Sequence, residues 1–153
     1  MLVVSDTTAL TTLLKAGEAQ LLRDIFDEVL VPQAVASELL RYHDALPAFC
    51  RIAEIAGGPR LFRLREEVDE GEAEAICLAL ESEADALLID DKKGRRVAEG
   101  EGIVCMALPA VFLAARERGL RSSVRQLLDL VASRGNYRLS ATARAALLEA
   151  AGE

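Results

Sequence analysis

Carboxylates are the side chains in this sequence best placed to do chemistry. The chain carries 25 Asp and Glu, but one histidine, three cysteines and no tryptophan. A single histidine excludes multi-histidine metal sites, and a Ser-His-Asp or Cys-His apparatus could be built only around His43. His43 stands in no motif and reads as a surface or loop residue. Cys50, Cys77 and Cys105 are far apart and form no C-x-x-C pair. They read as buried free thiols of a reducing compartment. The acids are better placed. Asp6 follows the apolar run Leu2–Ser5, and Asp90-Asp91 follows Ala86–Ile89. In a parallel α/β sheet, sites form at such carboxyl ends of strands. A lone Asp at a strand-to-helix junction also serves as a helix cap, and that reading stays open for each of them.

Helix periodicity adds two further acids. Glu72 falls on the same face as Ala75, Ile76, Ala79 and Leu80, whereas Glu74 points away from it. Glu72 can equally do no more than complement its helix dipole. Glu38 falls at the border of the face formed by Val35 and Leu39, where a Glu is usually only solvated. Together, Asp6, Glu38, Glu72 and the Asp90-Asp91 pair would meet at one sheet edge. Such a cluster repels itself unless basic side chains or hard cations supply a counter-charge. Oxygen-only ligands suit Mg²⁺ or Mn²⁺, and two such ions can activate a water and stabilise the leaving oxygen of a phosphodiester. Lys92, Lys93, Arg95 and Arg96 form the densest basic patch, directly beside the acid pair. They could hold phosphates or pair with the carboxylates, or simply form a solvated face. Thr7 or Thr8 could position a water, bond Asp6, or act as a cap.

Short apolar strands must alternate with helices to present these residues. The pattern predicts strands at 2–5, 28–31, 86–89 and 103–106, with Leu61–Leu64 as a short edge strand. It predicts helices from Asp6 to Gly17, 18–26, after Pro32, 71–83, 92–99, 108–118, 123–133 and 140–150, the last capped by Ser140. Residues 43–57 read as helical or irregular. Strands separated by helices imply an α/β fold with a parallel sheet. No repeat or linker divides residues 1–153, which read as a single domain. Gly135-Asn136 is the nearest approach to a boundary, beyond which the C-terminal helix at 140–150 is free to pack separately.

Composition fits this reading. A chain of 153 residues, 52% hydrophobic and 28% charged, can bury a core. Mean hydropathy is +0.21. No apolar run approaches the roughly 18 residues of a membrane span. MLVVSDTTAL lacks the basic flank of a signal peptide. The chain is thus expected to be soluble and cytoplasmic, with no membrane partner. A net charge of −7 argues against broad electrostatic binding of nucleic acid. It does not exclude a nuclease, because bound cations supply the missing positive charge. Aromatic residues at 4% argue against a base-stacking platform.

Four segments carry a resemblance: VVSDTTAL at the first strand, VLVPQAVASELL around the second, DEGEAEAICLAL on the middle helix and LLIDDKKGRRVA after the third. In this order and spacing the chain resembles the PIN-domain superfamily of metal-dependent ribonucleases. More narrowly it resembles the prokaryotic group related to VapC-type toxins, and the likeness thins toward Leu130. The resemblance implies a three-layer α/β/α fold around a mostly parallel sheet of about four to five strands. It implies a catalytic and metal-binding set of Asp6, Glu38, Glu72 and one of Asp90 and Asp91, with Mg²⁺ or Mn²⁺ bound. It also implies an RNA substrate, a homodimer and a small antitoxin partner. Arg95 and Arg96 are the better candidates for RNA phosphate contact, since the likeness includes GRRVA. The chain departs from the group after the fourth strand, where Cys105-Met106-Ala107-Leu108-Pro109 stands in place of a glycine-bearing stretch.

The competing reading is a non-catalytic interaction module whose acids are caps and ion-pair partners of Lys92 to Arg96. A phosphoryl-accepting domain fits less well. A haloacid-dehalogenase-like phosphatase needs a second Asp at position 8, which is Thr, and a receiver domain needs its acid pair after the first strand.

Overall fold

A computed structural model describes residues 1–153. Five parallel strands form one sheet, β1 (Leu2–Ser5), β2 (Glu28–Val31), β3 (Cys50–Ile52), β4 (Ala86–Leu88) and β5 (Cys105–Met106), in the order β3-β2-β1-β4-β5. Nine helices surround it: α1 (Thr7–Ala16), α2 (Gln20–Ile25), α3 (Gln33–Leu39), α4 (Pro59–Arg65), α5 (Glu70–Glu81), α6 (Lys92–Gly100), α7 (Leu108–Glu117), α8 (Val124–Gly135) and α9 (Ala141–Ala150). The sheet is entirely parallel, so each strand needs a crossover, and helices cover both faces.

Alternation along the strands divides the core in two. Val3, Val29, Val31, Ala86 and Leu88 face a layer built from α1–α3 and α7–α9. Val4, Leu30, Leu87 and Ile89 face α4–α6. Leu147 and Leu148 of α9 are buried in the first of these layers, against the rest of the domain. The apolar residues of α7 and α8 also turn inward, Val111, Phe112, Leu127, Leu128 and Val131 all being buried. The exposed large apolar side chains lie elsewhere, among them Leu40, Tyr42, Ile52, Phe62 and Val104.

The strand order creates the site. From β1 the chain steps to β2 and β3 through helices of one layer. From β4 it steps the opposite way to β5 through α6 in the other layer. A right-handed crossover forces this change of face when the direction of travel reverses. The segments leaving β1 and β4 therefore diverge, and a crevice opens above their carboxyl ends. The next residues are Asp6 and Asp90.

Two predicted elements differ. Leu61–Leu64 lies in α4 and is not an edge strand. Leu61 and Leu64 are buried while Phe62 and Arg63 are exposed, which is the spacing of a helix face, and Pro59 occupies the first turn. The edge strand is instead Cys50–Ile52, within the stretch read as helical or irregular. It pairs only with β2, and Arg51 and Ile52 are exposed, so it carries no apolar signature. The last strand is also shorter than its apolar run. The cysteines are free, but only Cys77 is fully buried, Cys50 and Cys105 being partly exposed. Burial pushes the Cys50 thiol up to about 12 and the Cys105 thiol to about 11, so both stay protonated at neutral pH. No helix is long and apolar enough to cross a membrane.

Candidate active site

Asp6 sits at the end of the central strand and is 3% exposed. Its backbone N–H donates to the Leu88 carbonyl at 2.9 Å, closing the β1–β4 ladder. One side-chain oxygen caps α1 by accepting the Ala9 N–H at 2.9 Å, and the other accepts the Asp90 N–H at 3.3 Å. These bonds fix the carboxyl but do not neutralise it. Burial, reinforced by the neighbouring Asp90 carboxylate, raises its pKa to about 7 despite the two backbone donors.

Asp90 is the partner across the switch point. Its Oδ1 accepts the Tyr137 hydroxyl at 2.7 Å and the Leu108 N–H at 3.4 Å. Its Oδ2 is buried and has no partner. Burial raises its pKa, opposed by Tyr137, Leu108 and the nearby Arg95 charge. Asp91 does a different job. It N-caps α6 by accepting the Gly94 N–H at 2.7 Å, and its exposed side chain adds negative charge beside Glu72.

Glu72 belongs to a capping box at the start of α5. Its N–H donates to Asp69 at 2.8 Å, and its carboxylate accepts the Asp69 N–H at 3.3 Å. Burial, with the Asp69 and Asp91 charges, raises its pKa to about 7. Gly94 makes room for it. A Cβ there would lie 2.6 Å from Glu72 Oε2 and 2.8 Å from Ile89 Cδ1. Glu38, exposed on α3, accepts the Thr7 hydroxyl at 2.9 Å. Gly71 packs beside that pair, its Cβ position 3.5 Å from Glu38 and 3.6 Å from Thr7.

The predicted acids thus stand at one sheet edge as adjoining pairs: Asp6 with Asp90, and Glu72 with Asp91. Glu38 is bonded to Thr7. Nowhere do three acidic, histidine or cysteine side chains come together closely enough to enclose a cation. Of the basic patch, Lys92, Lys93 and Arg96 are exposed. Arg95 is half-buried and turned toward the site, its charge acting on Asp90 and Tyr137 and its buried Nε lacking a partner. Glu74 does not point away into solvent. It accepts the Ala34 N–H at 3.0 Å, because α5 is buried on nearly every side by α3, α4 and the sheet. A groove of about 540 Å³ runs from Thr7, Glu38 and Tyr137 along Thr8, Thr11 and Lys15 of α1.

Two residues of the site escape the sequence reading. Asp69 was legible as the first residue of a D-x-x-E capping box. Tyr137 gives no periodic signal. It follows Asn136, whose left-handed backbone (φ 52°) ends α8 and turns the chain back toward the sheet edge.

Taken together, an all-parallel sheet of this order with carboxylates at its switch point defines a three-layer α/β domain with an acidic crevice. A family model, DUF3368, described as a PIN domain, matches residues 2–153. The chain belongs to this PIN-domain family. No curated protein matches the chain.

Proposed function

We propose that this PIN domain is a Mg²⁺- or Mn²⁺-dependent endoribonuclease, acting in the cytoplasm as the toxin of a toxin–antitoxin pair. The observation that carries this reading is the buried, unpartnered Oδ2 of Asp90, on the residue whose N–H bonds Asp6, a second carboxyl whose pKa burial raises to about 7. Two carboxyls kept together without a salt bridge lower stability unless a cation joins them. The donors are all oxygen, and Mg²⁺ is commonly held by one or two carboxylates, with water and substrate phosphate completing its shell. The residues therefore fit such an ion, with Asp6 and Asp90 as the first ligands to hold it. Glu72, Asp91 and Glu38 flank them.

Bound there, the cation supplies positive charge for the phosphate and lowers the pKa of water. The protein's own groups would do the rest. Asp6 and Asp90 are fixed by backbone donors and by Tyr137, so no reorganisation is needed. Thr7 orients Glu38. Arg95 partly offsets the acidic charge, and Lys92 and Arg96 lie exposed beside the site for backbone phosphates. Hydrolysis adds water to phosphorus and breaks the bond to the 3′ oxygen, leaving a 3′-hydroxyl and a 5′-phosphate. The groove beside α1, lined by Thr8, Thr11 and Lys15, would lead the strand to Glu38 and Tyr137. A homodimer and an antitoxin complete the proposal. Their surfaces would lie on exposed apolar residues such as Ile52, Phe62 and Val104, since α7 and α8 spend their apolar faces on the core.

The interaction-module reading is favoured by one observation: Asp6, Glu72 and Asp91 each make a cap. Its other half lacks support, since none of Lys92, Lys93, Arg95 and Arg96 forms a salt bridge. The test is cleavage of a transcript pool with Mn²⁺ or with EDTA, by the native protein and by Asp6→Asn. Metal-dependent cleavage lost in the variant is expected. Equal cleavage by both proteins would refute the assignment.

A further inference from the structure

Tyr137 is the one side chain from the C-terminal part of the chain that hydrogen-bonds a site acid. It lies in the connection between α8 and α9, 47 residues beyond Asp90. Three observations fix its place. Asn136 reverses the chain at the end of α8. Gly135 permits α8 to end hard against α1, a Cβ there lying 3.1 Å from both the Thr12 carbonyl and its methyl group. The half-buried phenol then reaches Asp90 Oδ1 at 2.7 Å, a short bond of the charge-assisted kind.

The consequence lies in which oxygen is occupied. A tyrosine hydroxyl has one proton to give. Here it goes to Oδ1, which also accepts the more distant Leu108 N–H. The carboxylate plane is thereby held from one side, and Oδ2 is left buried and free. Without the phenol, the long Leu108 contact alone would hold the group. Either oxygen could then turn toward Leu108, and the free lone pairs would no longer point in one direction.

We propose that Tyr137 is a positioning residue: its hydroxyl locks Asp90 so that Oδ2 alone is presented to a divalent cation, making the α8–α9 connection part of the active site. This rests on the cation-dependent reading above. Partners that orient a metal-binding carboxylate are worth about 10–100-fold in metal affinity or activity when removed.

The test is Tyr137→Phe, which keeps the ring and removes only the hydroxyl. Mn²⁺ affinity is measured by titration calorimetry in the absence of RNA, with Tyr42→Phe as the control for the other tyrosine. We expect Tyr137→Phe to bind Mn²⁺ at least about 10-fold more weakly, with the control unchanged. In RNA cleavage, kcat at fixed Mn²⁺ should fall while KM for RNA holds, and added Mn²⁺ should restore the rate. A purely structural tether would instead lower the melting temperature and leave Mn²⁺ affinity native, and that result would overturn the inference alone. Absence of Mn²⁺ binding by the native protein would overturn both the inference and the reading beneath it.

Discussion

Replacing Asp6 by Asn should stabilise this protein in the absence of metal, although Asp6 caps a helix. The native fold keeps the Asp6 carboxyl 3% exposed and beside Asp90, raising its pKa from 3.8 to about 7. At about 1.4 kcal/mol for each tenfold change in the protonation equilibrium, holding the charge there costs on the order of 4 kcal/mol above pH 7. Asn removes that cost. Its carbonyl can still accept the Ala9 N–H, but its amide cannot accept the Asp90 N–H, a loss of about 1 kcal/mol. The net gain is about 3 kcal/mol, or roughly 6–12 °C for a domain of this size. The sign with pH follows. Because the folded pKa is raised, the native protein takes up a proton on folding between about pH 4 and 7, so its stability falls as pH rises through that window. The advantage of Asp6→Asn is therefore absent near pH 4, grows to pH 7 and is flat above. Urea denaturation in EDTA across pH 4–8 measures it. Mn²⁺ should reverse the order. At about 1,000 times Kd it adds roughly 4.1 kcal/mol to the native protein and little to the variant, which exceeds the variant's advantage. A variant less stable than native at pH 8 in EDTA would refute the argument that this carboxyl is held at a cost.

Three further predictions follow from the same geometry. Gly94→Ala places a methyl 2.6 Å from Glu72 Oε2 and 2.8 Å from Ile89 Cδ1. Both are the ends of flexible side chains, so urea denaturation should show a loss of only about 1 kcal/mol, while RNA cleavage falls as far as in Glu72→Gln. Glu72→Gln itself should raise stability in EDTA above pH 7, in the same direction as Asp6→Asn but by less, since solvent screens this partly exposed group. Phe112→Ala, at a fully buried position of the larger core, should cost about 3–5 kcal/mol in urea denaturation with native m-value, and its Mn²⁺ affinity should stay native while it remains folded.

The sequence made the fold legible wherever burial leaves a periodic trace. Leu2–Ser5, Glu28–Val31 and Ala86–Leu88 are buried on both faces and read as apolar runs. Cys50–Ile52 is held by one neighbour and leaves two residues in solvent, so nothing in its composition distinguishes it from a loop. Leu61 and Leu64 carried the right signal, a spacing of three, but the mix of apolar residues with Arg63 suggested an edge. Helix phase placed Glu72 correctly on the inward face of α5. It put Glu74 on another face without showing that this face is covered too, because phase assumes a helix with a wet side and α5 has almost none. Asp6, Glu38 and the acid pair were legible from their positions relative to strands and helices. Tyr137 was not, because a contact across 47 residues is made by the tertiary fold and by one left-handed Asn.

The division of labour within Asp90-Asp91 is the point at which sequence reasoning stops and topology continues. Two adjacent acids after a strand are equivalent in sequence, since either could cap the following helix. In the fold they are inequivalent because successive residues leave a strand on opposite sides. Ile89 points into the α4–α6 layer, and its backbone N–H still donates to Met106 at 2.8 Å. Asp90 therefore turns to the other side, toward Asp6 and the C-terminal connection. Asp91 returns to the side of α6, where it caps Gly94 and meets Glu72. Only Asp90 is left with a buried oxygen that no donor satisfies. A cap satisfies its oxygen with a backbone amide, whereas an acid kept buried and unsatisfied lowers stability until something binds it. Under the cation-dependent reading proposed above, that criterion assigns Asp91 to the cap and Asp90 to the ion. Asp91→Asn should retain the Gly94 bond and most Mn²⁺ affinity, whereas Asp90→Asn should lose Mn²⁺ binding as Asp6→Asn does. Calorimetric titrations of the two variants side by side decide it, and equal losses would mean that the oxygen counted here as satisfied is a ligand too.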